Sequence, residues 1–285
     1  MFSRVKEIIV KIIKSEKPVR FIFSRILMRL RISQLIIIKR NNYKIKFYPT
    51  WLSRTCFDRR IYYKYEEEEF LSRYLKKGDI YIDIGANIGL FALKAASIIG
   101  NNGSVFAVEP MPKIFKYLYK NVKFNGFQNV KLYKYAIGDS VTNTYLTDIK
   151  YDDTINAILP SGGLKVEQTT MDTLFNELVE KINLLKVDVE GYEIFVFRGA
   201  KNILKRTDCV FFESWENHFS KFNYCTEDLF RVLINSGFHI YKLINDRLEQ
   251  LSTGYKSTEC EDLIALKDID NFLRRFNSNI GEIRN

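Results

Sequence analysis

Seven residues in three stretches have the types and spacing for chemistry. In Asp79–Gly89, DIYIDIGANIG, Asp83 lies in a short apolar run, and Gly85, Asn87 and Gly89 follow it. Glu109 closes a second apolar run, Val105–Val108. A strand, a glycine turn and a helix leave unpaired N–H groups and partial positive charge at the helix start. A carboxylate at the end of the next strand can take both hydroxyls of a ribose. Further on, in LLKVDVEG, Lys186, Asp188 and Glu190 share one face by the strand's period of two, and Gly191 turns the chain out. Charges at the end of a buried strand are costly unless they are paired or face a cleft. Asp188 and Glu190 are therefore the candidate catalytic pair, one to accept a proton from a weak nucleophile and one to hold that nucleophile. An internal Lys186–Asp188 ion pair that only pins the strand is the alternative. Glu213, closing the run after that, either lines the same cleft or sits in solvent.

The ligand follows from what the first turn lacks. A dinucleotide fingerprint, G-x-G-x-x-G, uses glycines to bring backbone against a pyrophosphate. Here the spacing is Gly85-Ala86-Asn87-Ile88-Gly89, with Asn87 where a second glycine is needed. S-adenosylmethionine (SAM) has a ribose and no phosphate, and its methionine tail carries a carboxylate and an ammonium. Gly85 gives that tail room, the helix start suits its carboxylate and Asp83 suits its ammonium. The reading is SAM ahead of NAD, with a ligand-free structural turn as the third alternative.

These residues need elements to position them. From Asp79 onward strands and helices alternate. Strands are expected at 80–84, 104–109, 130–136, 184–189, 209–213 and 238–244. Helices are expected at 90–99, from Pro112 to Asn125, from Thr170 to about Lys181, at 194–204, and at 226–235 with Thr226 as cap. Residues 140–166 break the rhythm as a surface excursion. No helix fits between Ile244 and Asp262, so 263–266 returns antiparallel. The expectation is a doubly wound α/β fold with a mostly parallel seven-stranded sheet. Its fourth long strand lies beside the first, where the sheet reverses direction. Ahead of it, 41–78 is expected to sit over the site. The acids Glu66–Glu69 read as a helix's first turn, with Lys76 and Lys77 in its last, and not as a ligand cluster.

Taken in order, DIGANIG at 83–89, VEPMP at 108–112, Asn121, Asn125 and Asn129, AIGDS at 136–140, TMDTL at 170–174, LLKVDVEGYE at 184–193, FRGAKNIL at 197–204 and FFES at 211–214 resemble the FkbM family of SAM-dependent methyltransferases. The resemblance covers about residues 79–215. It implies a class I, Rossmann-like methyltransferase fold and transfer of a methyl group to oxygen, often on sugar or polyketide hydroxyls. By it, Asp83, Gly85, Asn87, Gly89 and Glu109 match the SAM-binding motifs, and Asp188 and Glu190 match the signature after strand four.

Charge is uneven along the 285 residues. Residues 1–46 hold 13 Lys/Arg against 2 Asp/Glu, and the remainder holds 31 against 32. The whole-chain +10 thus belongs to an N-terminal arm. There Phe2, Val5, Ile8, Ile9, Ile12 and Ile13 share a helical face, stopped near Pro18. Arginines interleave with the apolar residues of 19–38, so no uncharged run is long enough to cross a bilayer. An anionic membrane surface, packing or dimerisation, and nucleic acid are the three readings of the arm. The segments are 1–40 as arm, 41–78 as cap, 79–267 as methyltransferase domain and 268–285 as tail. Four scattered cysteines and no evident leader suggest a reducing, cytoplasmic compartment, peripheral at the inner membrane face if the arm binds lipid. Two histidines without ligand spacing suggest no metal site. The expected acceptor is a small molecule or glycan, with homo-oligomers open. Nucleic acid is not expected, because strand four lacks the Asn/Asp-Pro-Pro-aromatic turn common in base methylation. An RNA methyltransferase and a non-catalytic scaffold of the same fold are the alternatives.

Overall fold

Ile80–Ile84 (β3) is the strand about which the molecule is built, because it is buried on both faces from Tyr81 onward. In a computed structural model, which describes residues 18–30, 32–58, 65–147, 158–159, 162–178 and 180–277, it pairs in parallel with Ser104–Val108 (β4) and Ile182–Val187 (β10). Val130–Tyr133 (β5) extends the sheet beyond β4, and Thr207–Ser214 (β11) extends it beyond β10. Glu261–Leu266 (β14) lies antiparallel between β11 and His239–Ile244 (β12). With Arg247–Gln250 (β13) at the edge, the order is β13-β12-β14-β11-β10-β3-β4-β5. This is the class I methyltransferase form of the doubly wound α/β sheet, with its reversal between β3 and β10.

Helices cover both faces. Tyr65–Tyr74 (α3), Leu90–Ile99 (α4), Pro112–Asn125 (α5) and Ile269–Asn277 (α11) bury Phe70, Leu93, Leu118 and Phe272 on one side. Glu193–Arg198 (α7), Lys201–Lys205 (α8) and Thr226–Asn235 (α10) bury Phe197, Ile203 and Phe230 on the other. Core packing on two faces is what lets the sheet's strand tips be held rigidly at one edge.

Several expectations are corrected. The sheet has eight strands, because Arg247–Gln250 (β13) forms a hairpin with β12 at the edge. The 130–136 run splits: β5 stays in the main sheet, and Ala136–Ile137 (β6) pairs with Leu164–Thr169 (β9) in a second, four-stranded sheet. That sheet, completed by Thr142–Leu146 (β7) and Ile158–Leu159 (β8), is the excursion at 140–166. The helix at Met171–Leu174 (α6) is a single turn capped by Thr170, whose hydroxyl accepts the Thr173 N–H at 3.0 Å. The Asp172 carboxylate of α6 caps α8, accepting the N–H groups of Asn202 and Ile203. The 194–204 run is two helices separated at Gly199, and the cap of α10 is Cys225 in place of Thr226. Helix α3 ends at Tyr74, before the lysines.

Ahead of the sheet come Pro18–Arg29 (α1), a hairpin of Ile37–Lys39 (β1) and Lys44–Lys46 (β2), and Trp51–Asp58 (α2); α1 packs on α2, and β2 packs on α5. The asparagines of the motif stretch do this work. Asn125 exchanges two hydrogen bonds with the Lys44 backbone, and Asn121 accepts the Lys46 N–H while donating to the Ile88 carbonyl. The amphipathic stretch of residues 2–13 lies outside the described residues. Among the described residues no helix is long and apolar enough to cross a membrane.

Candidate active site

Where β3, β4 and β10 end, a cleft opens that is lined by Gly85, Ala86, Asn87, Glu109, Asp188 and Glu190, with apolar walls from Ile84, Val108 and Ile137. The fold therefore brings the glycine turn, the ribose acid and the second carboxylate pair to one place. Gly85 is required by a close approach: with φ at +84°, a Cβ there would lie 1.9 Å from the Asp188 carbonyl oxygen. The same turn is anchored from the other side, since the N–H groups of Gly85 and Ala86 both donate to the Val108 carbonyl at 3.0 Å. Gly89 caps α4 in the left-handed conformation, and any Cβ would press on Leu118. Gly89 does not line the cleft.

Glu109 is 7 % exposed and holds the rim together, with Oε2 accepting the Asn87 N–H at 3.0 Å and Oε1 accepting the Met111 N–H at 2.9 Å. An ionised carboxylate offers about four acceptor positions, so these bonds and a ribose diol are compatible. Asn87 sits at φ +50° with its own Oδ1 accepting the Ile88 N–H.

Asp83 is fully buried behind the cleft-lining residues and stands in register opposite Lys186 on the neighbouring strand. Lys186, 2 % exposed, makes an ion pair with Asp188 Oδ2 at 3.0 Å and lies 4.9 Å from the Phe91 ring centroid. The strand-pinning ion pair and the cleft-facing acid are thus both present, because Asp188 is at once Lys186's partner and a lining residue.

The chain after β10 turns sharply. Glu190 adopts φ +57° and Gly191 φ +101°. A non-glycine residue held there costs of order 1–3 kcal/mol, which surrounding structure must supply. Glu193 supplies it: fully buried, it accepts the N–H groups of Val189 at 3.0 Å and Gly191 at 3.2 Å. Tyr224 closes the turn by donating to the Gly191 carbonyl at 2.8 Å. Burial above all, and the charge of Glu213 next, push the Glu193 carboxyl up to about 8, against the pull of those N–H bonds.

Leu52 of α2 lines the cleft, from the segment 41–78 that was expected to sit over the site. Sequence reasoning missed the rest of the cover, Tyr135, Leu146 of β7 and Ile158 of β8, whose only signal is that their segment interrupts the βα rhythm. It also missed Glu193, which reads as an ordinary acid in a helix's first turn.

The cradle fits SAM. A backbone approach that admits only glycine, a carboxylate at the ribose position and an apolar slot at Ala136–Ile137 for a flat base occur together. The family model described as Methyltransferase FkbM domain matches residues 83–253. Among curated relatives, the hexuronic acid methyltransferase AglP of Haloferax volcanii is 32 % identical over 147 residues, covering 48 % of this chain and 56 % of that protein. The chain thus spans little more than half of that relative's length. The protein-L-isoaspartate O-methyltransferase of Methanococcus aeolicus is 36 % identical over 58 residues, 20 % of this chain and 27 % of that one. Among solved structures, fibrillarin of Aeropyrum pernix with bound SAM superposes with a TM-score of 0.42 at 15 % identity, over 70 % of this chain and 74 % of that one. The chain belongs to the FkbM family of methyltransferases, and its cofactor is SAM.

Proposed function

We propose that the protein methylates a hydroxyl oxygen on a sugar, a glycan or a related natural product. The observation that carries this reading is the placing of Asp188 and Glu190 on the wall of the same cleft as Gly85 and Glu109. The hexuronic acid named for the relative AglP supports a sugar acceptor.

SAM supplies a methyl group already activated by its sulfonium. What remains for the chain is to hold an oxygen in line with that methyl, exclude water and take one proton. Positioning of this kind is worth up to about 7–11 kcal/mol. Glu190 holds the acceptor, and Asp188 receives the hydroxyl proton as the oxygen–carbon bond forms and the sulfur–carbon bond breaks. The balance is one methyl ether, one S-adenosylhomocysteine and one proton, passed from Asp188 to solvent. Lys186 fixes the Asp188 carboxylate, so its orientation is set before the acceptor arrives. A base so placed contributes about 10²–10⁴-fold. Asp188→Asn should lower S-adenosylhomocysteine production from a sugar acceptor by at least about 10²-fold while SAM binding persists. Undiminished turnover in that variant would refute the role.

We infer further that the arm meets an anionic membrane. Helix α1 buries Phe21, Ser24 and Leu27 against the body but leaves Val19, Ile22, Phe23 and Ile26 exposed beside Arg20, Arg25 and Arg29. Exposed large apolar residues interleaved with arginines are the composition of an interfacial helix.

A further inference from the structure

The turn after β10 and the end of β11 bring together three side chains that are scattered in the sequence, Glu190, Glu213 and His218. One ligand atom from each lies within 4.8 Å of the others. His218 is on Glu216–Phe219 (α9) and is 7 % exposed, with its ring 4.3 Å from that of Trp215. Its Nδ1 has no hydrogen-bond partner among the described residues, yet it stands 3.6 Å from Glu190 Oε2 and 3.6 Å from Glu213 Oε2.

An imidazolium bonded to either carboxylate would be drawn in to about 2.7–2.9 Å. Two atoms that share one ion behave differently. With bonds of about 2.1 Å they sit about 3.0 Å apart at right angles and about 3.4 Å apart at tetrahedral angles. The observed spacing is near the second value. The three side chains are also held in place: the Glu190 turn by Glu193 and Tyr224, Glu213 by the Cys260 thiol at 3.3 Å, and His218 by the packing of its backbone against Gly191.

We propose that Glu190, Glu213 and His218 bind a divalent transition-metal ion of the Mn²⁺ or Zn²⁺ type at the edge of the SAM cleft. One imidazole with two carboxylates suits these ions better than Mg²⁺ or Ca²⁺, which favour oxygen alone. Three protein ligands leave coordination positions open, as in catalytic metal sites. Because Glu190 also lines the cleft, an acceptor can reach an open position. On the hydroxyl-methylation reading, that favours acceptors with two adjacent oxygens, one of them made more acidic by the ion.

The test titrates the chelator-treated full-length protein with Mn²⁺ alone, following loss of the aquo-ion signal by electron paramagnetic resonance, with no SAM or acceptor present. One ion per chain is expected, bound at least tenfold more weakly by Glu213→Gln and by His218→Gln, while SAM affinity measured calorimetrically stays within twofold. If His218→Gln fails to fold, Glu213→Gln carries the comparison. Absence of Mn²⁺ binding, or equal binding by wild type and both variants, would overturn the site. Since the readout needs no methyl transfer, a protein that binds Mn²⁺ yet methylates no sugar would keep the site and refute only the acceptor class.

Discussion

Glu193 shows how one residue sets the site without touching a ligand. It satisfies two N–H groups of the turn that carries Asp188 and Glu190, and does so from a fully buried position facing Glu213 and Tyr224. Its carboxyl, raised to about 8, keeps a proton in the folded state that an unfolded chain releases near pH 4.5. The folded state therefore binds more protons across that interval. The stabilisation is full below about pH 4.5 and is lost as pH rises towards 8, with a slope of at most about 1.4 kcal/mol per pH unit. Glu193→Gln, which keeps an acceptor for both N–H groups, should flatten this decline. Urea midpoints at pH 5 and pH 8 measure it, and an equal fall in wild type and variant would contradict the assignment. At this scale the sequence was legible where chemistry and spacing agreed, as for Gly85, Glu109 and Asp188. It was not legible for His218 or Glu193, whose roles depend on chain segments that meet only after folding.

Among the elements, the β3–β10 pair is the one on which the cleft depends. It buries Asp83 and Lys186 in register on neighbouring strands, and Lys186 makes its ion pair with Asp188 at the cleft wall. Removing one partner of a buried ion pair strands the other and costs about 3–5 kcal/mol. Lys186→Met should lose stability of about that size in chemical denaturation, whereas a loss below about 1 kcal/mol would show that the acids are neutral or solvated there. The sheet order was legible because runs such as 80–84 and 104–108 are short and largely apolar, and α10 because its periodicity is clean. The edge hairpin was not, since Arg247–Gln250 is three-quarters polar and gains its strand form from pairing with β12. Nor was the end of the 130–136 run, where β6 leaves β5's sheet to pair with β9 and so delivers Tyr135–Ile137 to the cleft.

At the scale of the molecule, a nearly neutral catalytic body carries a strongly basic N-terminal segment whose helix α1 is half docked. Pelleting with phosphatidylserine-containing vesicles should recover the wild type. Recovery should fall several-fold for Ile22→Ser/Phe23→Ser/Ile26→Ser, which spares the buried Phe21 and Leu27; equal recovery would remove the membrane reading. Leu52 of α2, from the N-terminal region that also carries α1, lines the cleft. The account as a whole stands on SAM occupying the space between Gly85 and Glu109. Calorimetric titration of SAM into wild type and Glu109→Ala tests this most directly. One site per chain with at least tenfold weaker binding in the variant is the predicted result, and identical affinities, or no binding by the wild type, would contradict it.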